Sequence, residues 1–291
     1  MSTKNITLLL IVTVAFLGGG MGAITKIGLA EIPPLSFAFI RFFLASLIIL
    51  PFFLMHHEKR SKLRVVLPIS LFATGNITLY TLGVQTTTAT ISQLLYSAVP
   101  LFVTLLLYIL FREKLSKREM LGIGVGFLGM CLFILLPVVQ RGTDFSGSLI
   151  GNVLILLAVA SYSCYMVYSR KLLKTISPFF ITSVFIFIST IILSPFFLYD
   201  IAVGNNWMSQ LSFSGFGAIL YVTLVGTLLL YVLSQYAIKH GGLVYASLTF
   251  YLQPLFGYLF GMFLLGEQLT FGIILGAAIM LTGLTLVIKS K

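Results

Sequence analysis

Residues 89–134 (ATISQLLYSAVPLFVTLLLYILFREKLSKREMLGIGVGFLGMCLFI) align without a gap on residues 243–288 (LVYASLTFYLQPLFGYLFGMFLLGEQLTFGIILGAAIMLTGLTLVI). At a constant offset of 154, Pro100 meets Pro254, Leu101 and Phe102 meet Leu255 and Phe256, and Glu113 meets Glu267. Leu115 likewise meets Leu269, Gly122 meets Gly276 and Gly129 meets Gly283. Each copy is an apolar run, a short polar link and a second apolar run, the pattern of two membrane helices joined by a tight turn. The front of each half matches more weakly at an offset of 144, Lys26 on Arg170 and Pro34 on Pro178. The sequence therefore reads as one unit used twice, over residues 1–139 and 147–291.

Working outward from the repeat, apolar runs bounded by charge, Pro or polar clusters place spans at 6–28, 35–54, 65–85, 88–111 and 117–137 in the first half. The second half supplies 148–168, 178–199, 212–236, 242–265 and 270–288. Five spans per half is an odd number, so the second half is expected to cross the membrane upside down relative to the first. Counting Lys and Arg by alternate loops gives 15 on one side and only Lys26 and Arg141 on the other, which predicts that both termini are cytoplasmic. The fold expected is an all-α integral membrane protein of ten transmembrane helices in two inverted five-helix repeats. The opening stretch, Lys4 followed by the apolar run from Ile6, resembles a secretory signal, but the repeat requires it as a permanent helix.

Composition excludes most other classes. Of 291 residues, 59% are hydrophobic and 9% charged, where a soluble domain carries about 25% charge. Seven Asp and Glu residues are too few for an all-protein metal cage together with acid–base chemistry, so neither a metal, a cofactor nor an enzyme is expected. The net charge of +11 suits loops facing an anionic lipid leaflet rather than nucleic acid. Cys131 and Cys164 lie inside apolar runs, which argues against a disulfide framework. The partners expected are membrane lipids and a small-molecule substrate, a homodimer being left open.

Inverted repeats are a sequence mark of secondary transporters, and matching Pro interruptions in the two halves point to the substrate site. Pro100 and Pro254, near the middles of their spans, read as hinges, with a static packing kink as the plainer alternative. Gln93, Tyr96 and Ser97 precede Pro100, while Tyr245, Thr249 and Gln253 precede Pro254 at i, i+4 and i+8. Such groups at membrane depth must face the bundle interior, as ligand contacts or as interhelical hydrogen bonds. Asn76, Tyr80, Tyr165, Tyr231 and Gln235 form a second rank of candidates. Arg41 is the single charge well inside a span. It can attract a substrate carboxylate, or it can snorkel, cap loop carbonyls or pair with Glu31, and the structural role is favoured. Glu113 and Glu267 read as loop locks beside the N-caps Ser116 and Thr270, and His56, His57 and His240 as solvated.

Several matches are discarded. Gly124-Val-Gly126-Phe-Leu-Gly129 fits a dinucleotide fingerprint but lies inside a span; with Gly122 it offers small-residue helix packing instead, as do Gly18 with Gly22, Gly257 with Gly261 and Gly272 with Gly276. No Gly-x-x-x-x-Gly-Lys-Ser/Thr loop is present.

Three runs, PPLSFAFIRFFLASLIILPFF from Pro33, QTTTATISQLLYSAVPLFVTLLLYILFREKLSKREMLGIGVGFLGM from Gln85, and LLGEQLTFGIILGAAIMLTG from Leu264, resemble the EamA family of the drug/metabolite transporter superfamily. The resemblance covers essentially the whole chain. It implies a ten-helix inner-membrane carrier whose relatives mostly export amino acids, other metabolites or drugs. One departure concerns the first helix, where the family often carries a Trp-Gly-Ser-Asn-like stretch and this chain has Gly18, Gly19, Gly20 and Met21; Tyr162 holds the related aromatic position in the second half. A carrier of small polar or amphipathic metabolites is the leading expectation, the abundance of Tyr near the presumed cavity hinting at aromatic bodies. A membrane-embedded transferase on lipid-linked substrates and a passive channel are the alternatives.

Overall fold

The computed structural model describes residues 3–58, 60–87, 92, 95–141, 148–204, 206–265 and 271–289. Gln93, Asp144, Glu267 and Thr270 lie outside the described residues. Among those described, the chain is all helix and turn: α1 (Thr3–Gly19), α2 (Met21–Leu29), α3 (Pro34–Leu54), α4 (Leu63–Thr86), α5 (Val99–Phe111), α6 (Lys117–Arg141) and α7 (Leu149–Leu172). There follow α8 (Pro178–Ala202), α9 (Phe213–Tyr221), a π-helical segment (Val222–Leu229), α10 (Leu230–Gly241), α11 (Leu243–Ser247), α12 (Thr249–Leu265) and α13 (Phe271–Ile288).

Among the described residues, six helical stretches are long and apolar enough to cross a membrane, including Asn5–Leu29, Pro34–Leu54 and Phe213–Gly241, and Val99–Phe111 and Ile274–Val287 are shorter apolar helices. Their outer faces carry Leu, Ile and Phe side chains in the open, including Leu47, Phe52, Leu71, Leu157 and Ile191. A water-soluble surface does not tolerate such continuous apolar cover, whereas lipid does. The protein is a multi-pass membrane protein.

Helix ends follow from local chemistry. Ser148, Ser177 and Ser212 each accept a hydrogen bond at the side-chain oxygen from the backbone N–H three residues on, capping α7, α8 and α9. Ser116 and Glu119 form a reciprocal box at the start of α6, Ser116 N–H donating to Glu119 and Glu119 N–H to Ser116 Oγ. The N-cap reading of Ser116 holds.

Packing is reciprocal between the halves. α6 lies along α13 and α3 along α8, while α4 with α7 is matched by α10 with α1, and α7 with α5 by α1 with α12. At the α6–α13 crossing a Cβ on Gly122 would meet Gly283 O, and one on Gly129 would meet Gly276 O. The repeat-related glycines thus contact crosswise, each with the other's mate, and the two backbones approach as only Gly allows. Aromatic rings fill the α3–α8 seam: Phe39 stacks on Phe197 with centroids 4.5 Å apart, and Phe42 meets Phe185 edge-on at 5.2 Å.

Polar clasps close both ends. At the basic end, Glu58 accepts from Ser177 N (2.8 Å) and Ser177 Oγ (3.1 Å), Lys62 Nζ donates to Thr175 O (2.6 Å), and Arg170 Nη1 reaches both Glu113 oxygens at 2.7 and 2.9 Å. Glu113 is a loop lock, as its position suggested. At the opposite end Glu31 accepts from Ser212 N (2.8 Å) and Ser212 Oγ (2.6 Å), and Ser36 Oγ donates to Asp200. His56 is not a solvated residue: it is partly buried against the Phe179 ring and 3.0 Å from Ser177 Oγ.

Candidate functional site: a central cavity

A cavity of about 130 Å³ opens between the two halves. The first half lines it with Gly18 (α1), Met21 (α2), Arg41 (α3), Asn76 and Tyr80 (α4), and Ser92 and Tyr96; the second supplies Tyr162 (α7), Gly226 of the π segment, Tyr231 and Ser234 (α10), and Thr249, Phe250 and Gln253 (α12). Of the candidates read from sequence, Arg41, Asn76, Tyr80, Tyr96, Tyr231, Thr249 and Gln253 therefore share one space.

The others lie elsewhere. Tyr245 donates to Val287 O at 3.1 Å and so faces α13. Helix periodicity placed it with Thr249, but the helix is interrupted at Leu248, between α11 and α12. Ser97 is buried in the turn before α5. Tyr165 and Gln235 sit behind the lining, where the Tyr165 hydroxyl, Thr182 Oγ1 and both Gln235 amide atoms are buried without a closed hydrogen bond.

Each proline leaves a backbone carbonyl one turn upstream without its usual donor. Pro100 is the second residue of α5, and Pro254 the sixth of α12. Having no N–H, neither can donate to the carbonyl four residues back, those of Tyr96 and Phe250. Tyr96 and Phe250 are themselves repeat mates, both line the cavity, and their rings lie 6.0 Å apart. Rings continue on either side: Tyr80 meets Tyr96 edge-on at 5.3 Å, Phe250 meets Tyr162 at 5.5 Å, and Tyr162 meets Tyr231 at 6.3 Å. Asn76 fixes the start of this arc, its Nδ2 donating to Tyr96 Oη (2.6 Å) and to Ala158 O (2.9 Å).

Sequence reading missed the π segment. Its defining i to i+5 spacing shows where Leu230 N–H donates to Val225 O, and Thr227 Oγ1 donates to Val222 O at 2.9 Å. That leaves a Thr227 lone pair to accept from Arg41 Nε at 2.9 Å. Arg41 is 2% exposed and lines the cavity, so it neither snorkels nor pairs with Glu31, whose carboxylate holds Ser212. Gly18, in the stretch where the resemblance leads one to expect polar side chains, leaves room for the Gln253 amide, which a Cβ there would strike.

Among the described residues the cavity is lined by aromatic rings and amides from both halves and by Arg41, a mix of apolar surface and a few polar groups that a small molecule could meet. The chain belongs to the EamA-like transporter family, whose model matches residues 5–135 and 149–289. It is similar to an uncharacterized transporter, YoaV, of Bacillus subtilis (strain 168), at 25% identity over 94% of each chain. An uncharacterized transporter of Archaeoglobus fulgidus is 27% identical over 96% of each, and the uncharacterized inner membrane transporter YedA of Escherichia coli (strain K12) is 27% identical over 89% of this chain and 85% of its own. A protein crystal structure shares the fold, with a TM-score of 0.77 at 17% identity, covering 98% of this chain and 96% of that one.

Proposed function

We propose that the protein is a secondary transporter that exports small metabolites, such as amino acids or amphipathic aromatic compounds, across the cytoplasmic membrane by alternating access. The observation that carries this reading is the cavity itself, lined by both halves and placed where their repeat-related rings, Tyr96 and Phe250, meet. The reading includes ten spans in two inverted halves, 1–139 and 147–291, with both termini cytoplasmic. The reciprocal helix pairing and the crosswise Gly122–Gly283 and Gly129–Gly276 contacts support it, because two halves related in this way can exchange conformations about a shared centre. The clasps at the two ends then act as gates: Glu113–Arg170 and Glu58–Ser177 on the cytoplasmic side, Glu31–Ser212 and Ser36–Asp200 on the external side. Releasing one set while the other holds exposes the cavity to one side at a time.

The test compares internal and external metabolites by mass spectrometry in cells making the wild type or a cavity-filling Ser234→Phe variant at equal membrane abundance. Compounds that accumulate outside only with the wild type support the reading and name the substrate. Identical profiles with both proteins correctly inserted overturn export.

A further inference from the structure

Arg41 is the cation in a cavity that, among the described residues, holds no anion. Of the seven acidic residues, Glu31, Glu58, Glu113, Glu119 and Asp200 are engaged by Ser212, Ser177, Arg170, Ser116 and Ser36, all away from the lining; Asp144 and Glu267 lie outside the described residues. Among the described residues Arg41 makes no salt bridge. A guanidinium withdrawn from water needs hydrogen-bond acceptors for its five N–H groups. Thr227 takes Nε–H and fixes the direction of the planar fork, while the terminal nitrogens stand beside Gly226, where a Cβ would lie 3.6 Å from Nη2. Gly226 lines the cavity too, and the space its missing side chain leaves is taken by the Met21 thioether, so the fork is flanked there by an apolar group that gives Nη2 no oxygen acceptor.

We propose that, among the small metabolites named above, the substrates this cavity takes are organic monocarboxylates with an aromatic or otherwise apolar body and no compensating ammonium group, which narrows that reading to its amphipathic aromatic members and away from amino acids. This rests on the cavity being the transport site. The carboxylate meets Arg41 end-on, its two oxygens on Nη1 and Nη2, the bidentate geometry that remains once Nε is committed. The Phe42 ring lies 5.3 Å from Arg41 Cζ, and Tyr231, Tyr80 and Tyr96, which line the cavity with Arg41, belong to the arc of rings through Phe250 and Tyr162 on which an apolar body would lie. The volume suits one ring, being on the scale of the ~150 Å³ cavity that admits benzene in an engineered core. An ammonium group would find no carboxylate here among the described residues, only aromatic faces and amide or backbone oxygens, so a zwitterion's positive end is matched less well than its carboxylate is by Arg41.

The test is equilibrium binding of radiolabelled benzoate, phenylacetate and 3-phenylpropionate to the purified, reconstituted protein. Competition uses unlabelled 3-phenylpropionamide, phenethylamine and phenylalanine. At least one carboxylate binds, and each competitor displaces it about tenfold or more less well than the same unlabelled carboxylate does. Arg41→Gln weakens binding by at least that factor, and Arg41→Lys, a point charge without the fork, falls between. Equal competition by the amide or the amine, full binding by a folded Arg41→Gln protein, or no binding of any of the three carboxylates overturns the proposal. The competition series needs only the wild type, so it decides the matter even where Arg41 variants fail to fold. If the metabolite comparison finds export of neutral or cationic compounds alone, the carboxylate proposal fails while the transporter reading stands. If it finds no cavity-dependent export of anything, the transporter reading fails.

Discussion

Gly18 and Gly19 are neighbours on α1, yet a methyl group would strike different things at each. At Gly18 it meets the amide of Gln253, the far end of a flexible side chain; at Gly19 it meets the backbone nitrogen of Gly257 at 2.7 Å. Gly18→Ala is therefore expected to fold and to alter transport by moving Gln253 within the cavity. Gly19→Ala forces α1 from α12 and is expected to cost about 1–3 kcal/mol. Melting temperatures of the two purified variants, with transport measured on each, check the contrast. Glu31 supplies a pH prediction. The Ser212 hydroxyl and N–H hold its carboxylate below the ordinary value of 4.5. A group whose folded pKa is depressed stabilises above its unfolded value and loses that contribution as pH falls through the folded one. The clasp should thus persist at mildly acid pH and open only below 4.5, whereas Glu31→Gln removes the dependence. Hydrogen-exchange protection of the Ser212–Gly215 amides across that range decides it.

At the scale of elements, the π segment and the two interrupted helices set the site. Thr227 serves two partners through one hydroxyl, donating to Val222 O and accepting from Arg41 Nε. Thr227→Val keeps the shape and removes both bonds. The expected cost is about 1–3 kcal/mol because a buried charged donor is left without its acceptor, together with weaker binding of whichever ligand uses the fork; a thermal melt and a binding isotherm separate the two. Apolar periodicity gave helices where the described residues have them, but it put the breaks at the prolines themselves. The breaks fall just upstream, at 97–98 before Pro100 and at Leu248 before Pro254. Proline removes the bond to the carbonyl four residues back, which reaches the turn before Pro100; Leu248 lies six residues before Pro254, and Val99 and Gln253 are both helical, so proline alone does not account for the second break. The π segment had no such marker. Its extra residue is accommodated where α3 brings Arg41 alongside Thr227, and residues 41 and 227 share no local pattern.

For the molecule as a whole, the proposed inversion makes a direct prediction. In a background with Cys131 and Cys164 replaced by Ala, a Lys114→Cys variant should resist a membrane-impermeant maleimide added to intact cells, and a Met208→Cys variant should react. Reaction of both or of neither overturns the orientation. The Arg170–Glu113 pair is exposed, so its worth to stability is small, about 0–1 kcal/mol. In the proposed role of cytoplasmic gate it should act on the conformational balance instead: Glu113→Gln is expected to speed opening on that side with little change in melting temperature, read by the rate of labelling of a Ser234→Cys variant.

The sequence by itself determined the membrane environment, written along the chain as apolar runs, and it carries the repeat as a fixed offset; it offered glycines at helical spacing, but only the tertiary structure showed that Gly122 and Gly129 pack on Gly283 and Gly276. It also nominated Tyr96, Thr249, Gln253, Asn76, Tyr80, Tyr231 and Arg41, since polar groups inside apolar runs must find partners within the bundle. Which of the nominees share a space was decided by tertiary structure. Tyr245 fell on the far side of a helix break, Tyr165 and Gln235 behind the lining, and Arg41, expected to serve structure near a rim, faces the cavity. A side chain's facing depends on the rotation and crossing of the helices packed around it. Those are set jointly by contacts between residues more than a hundred positions apart, such as Gly19 with Gly257 and Arg41 with Thr227, which no single stretch of the chain contains.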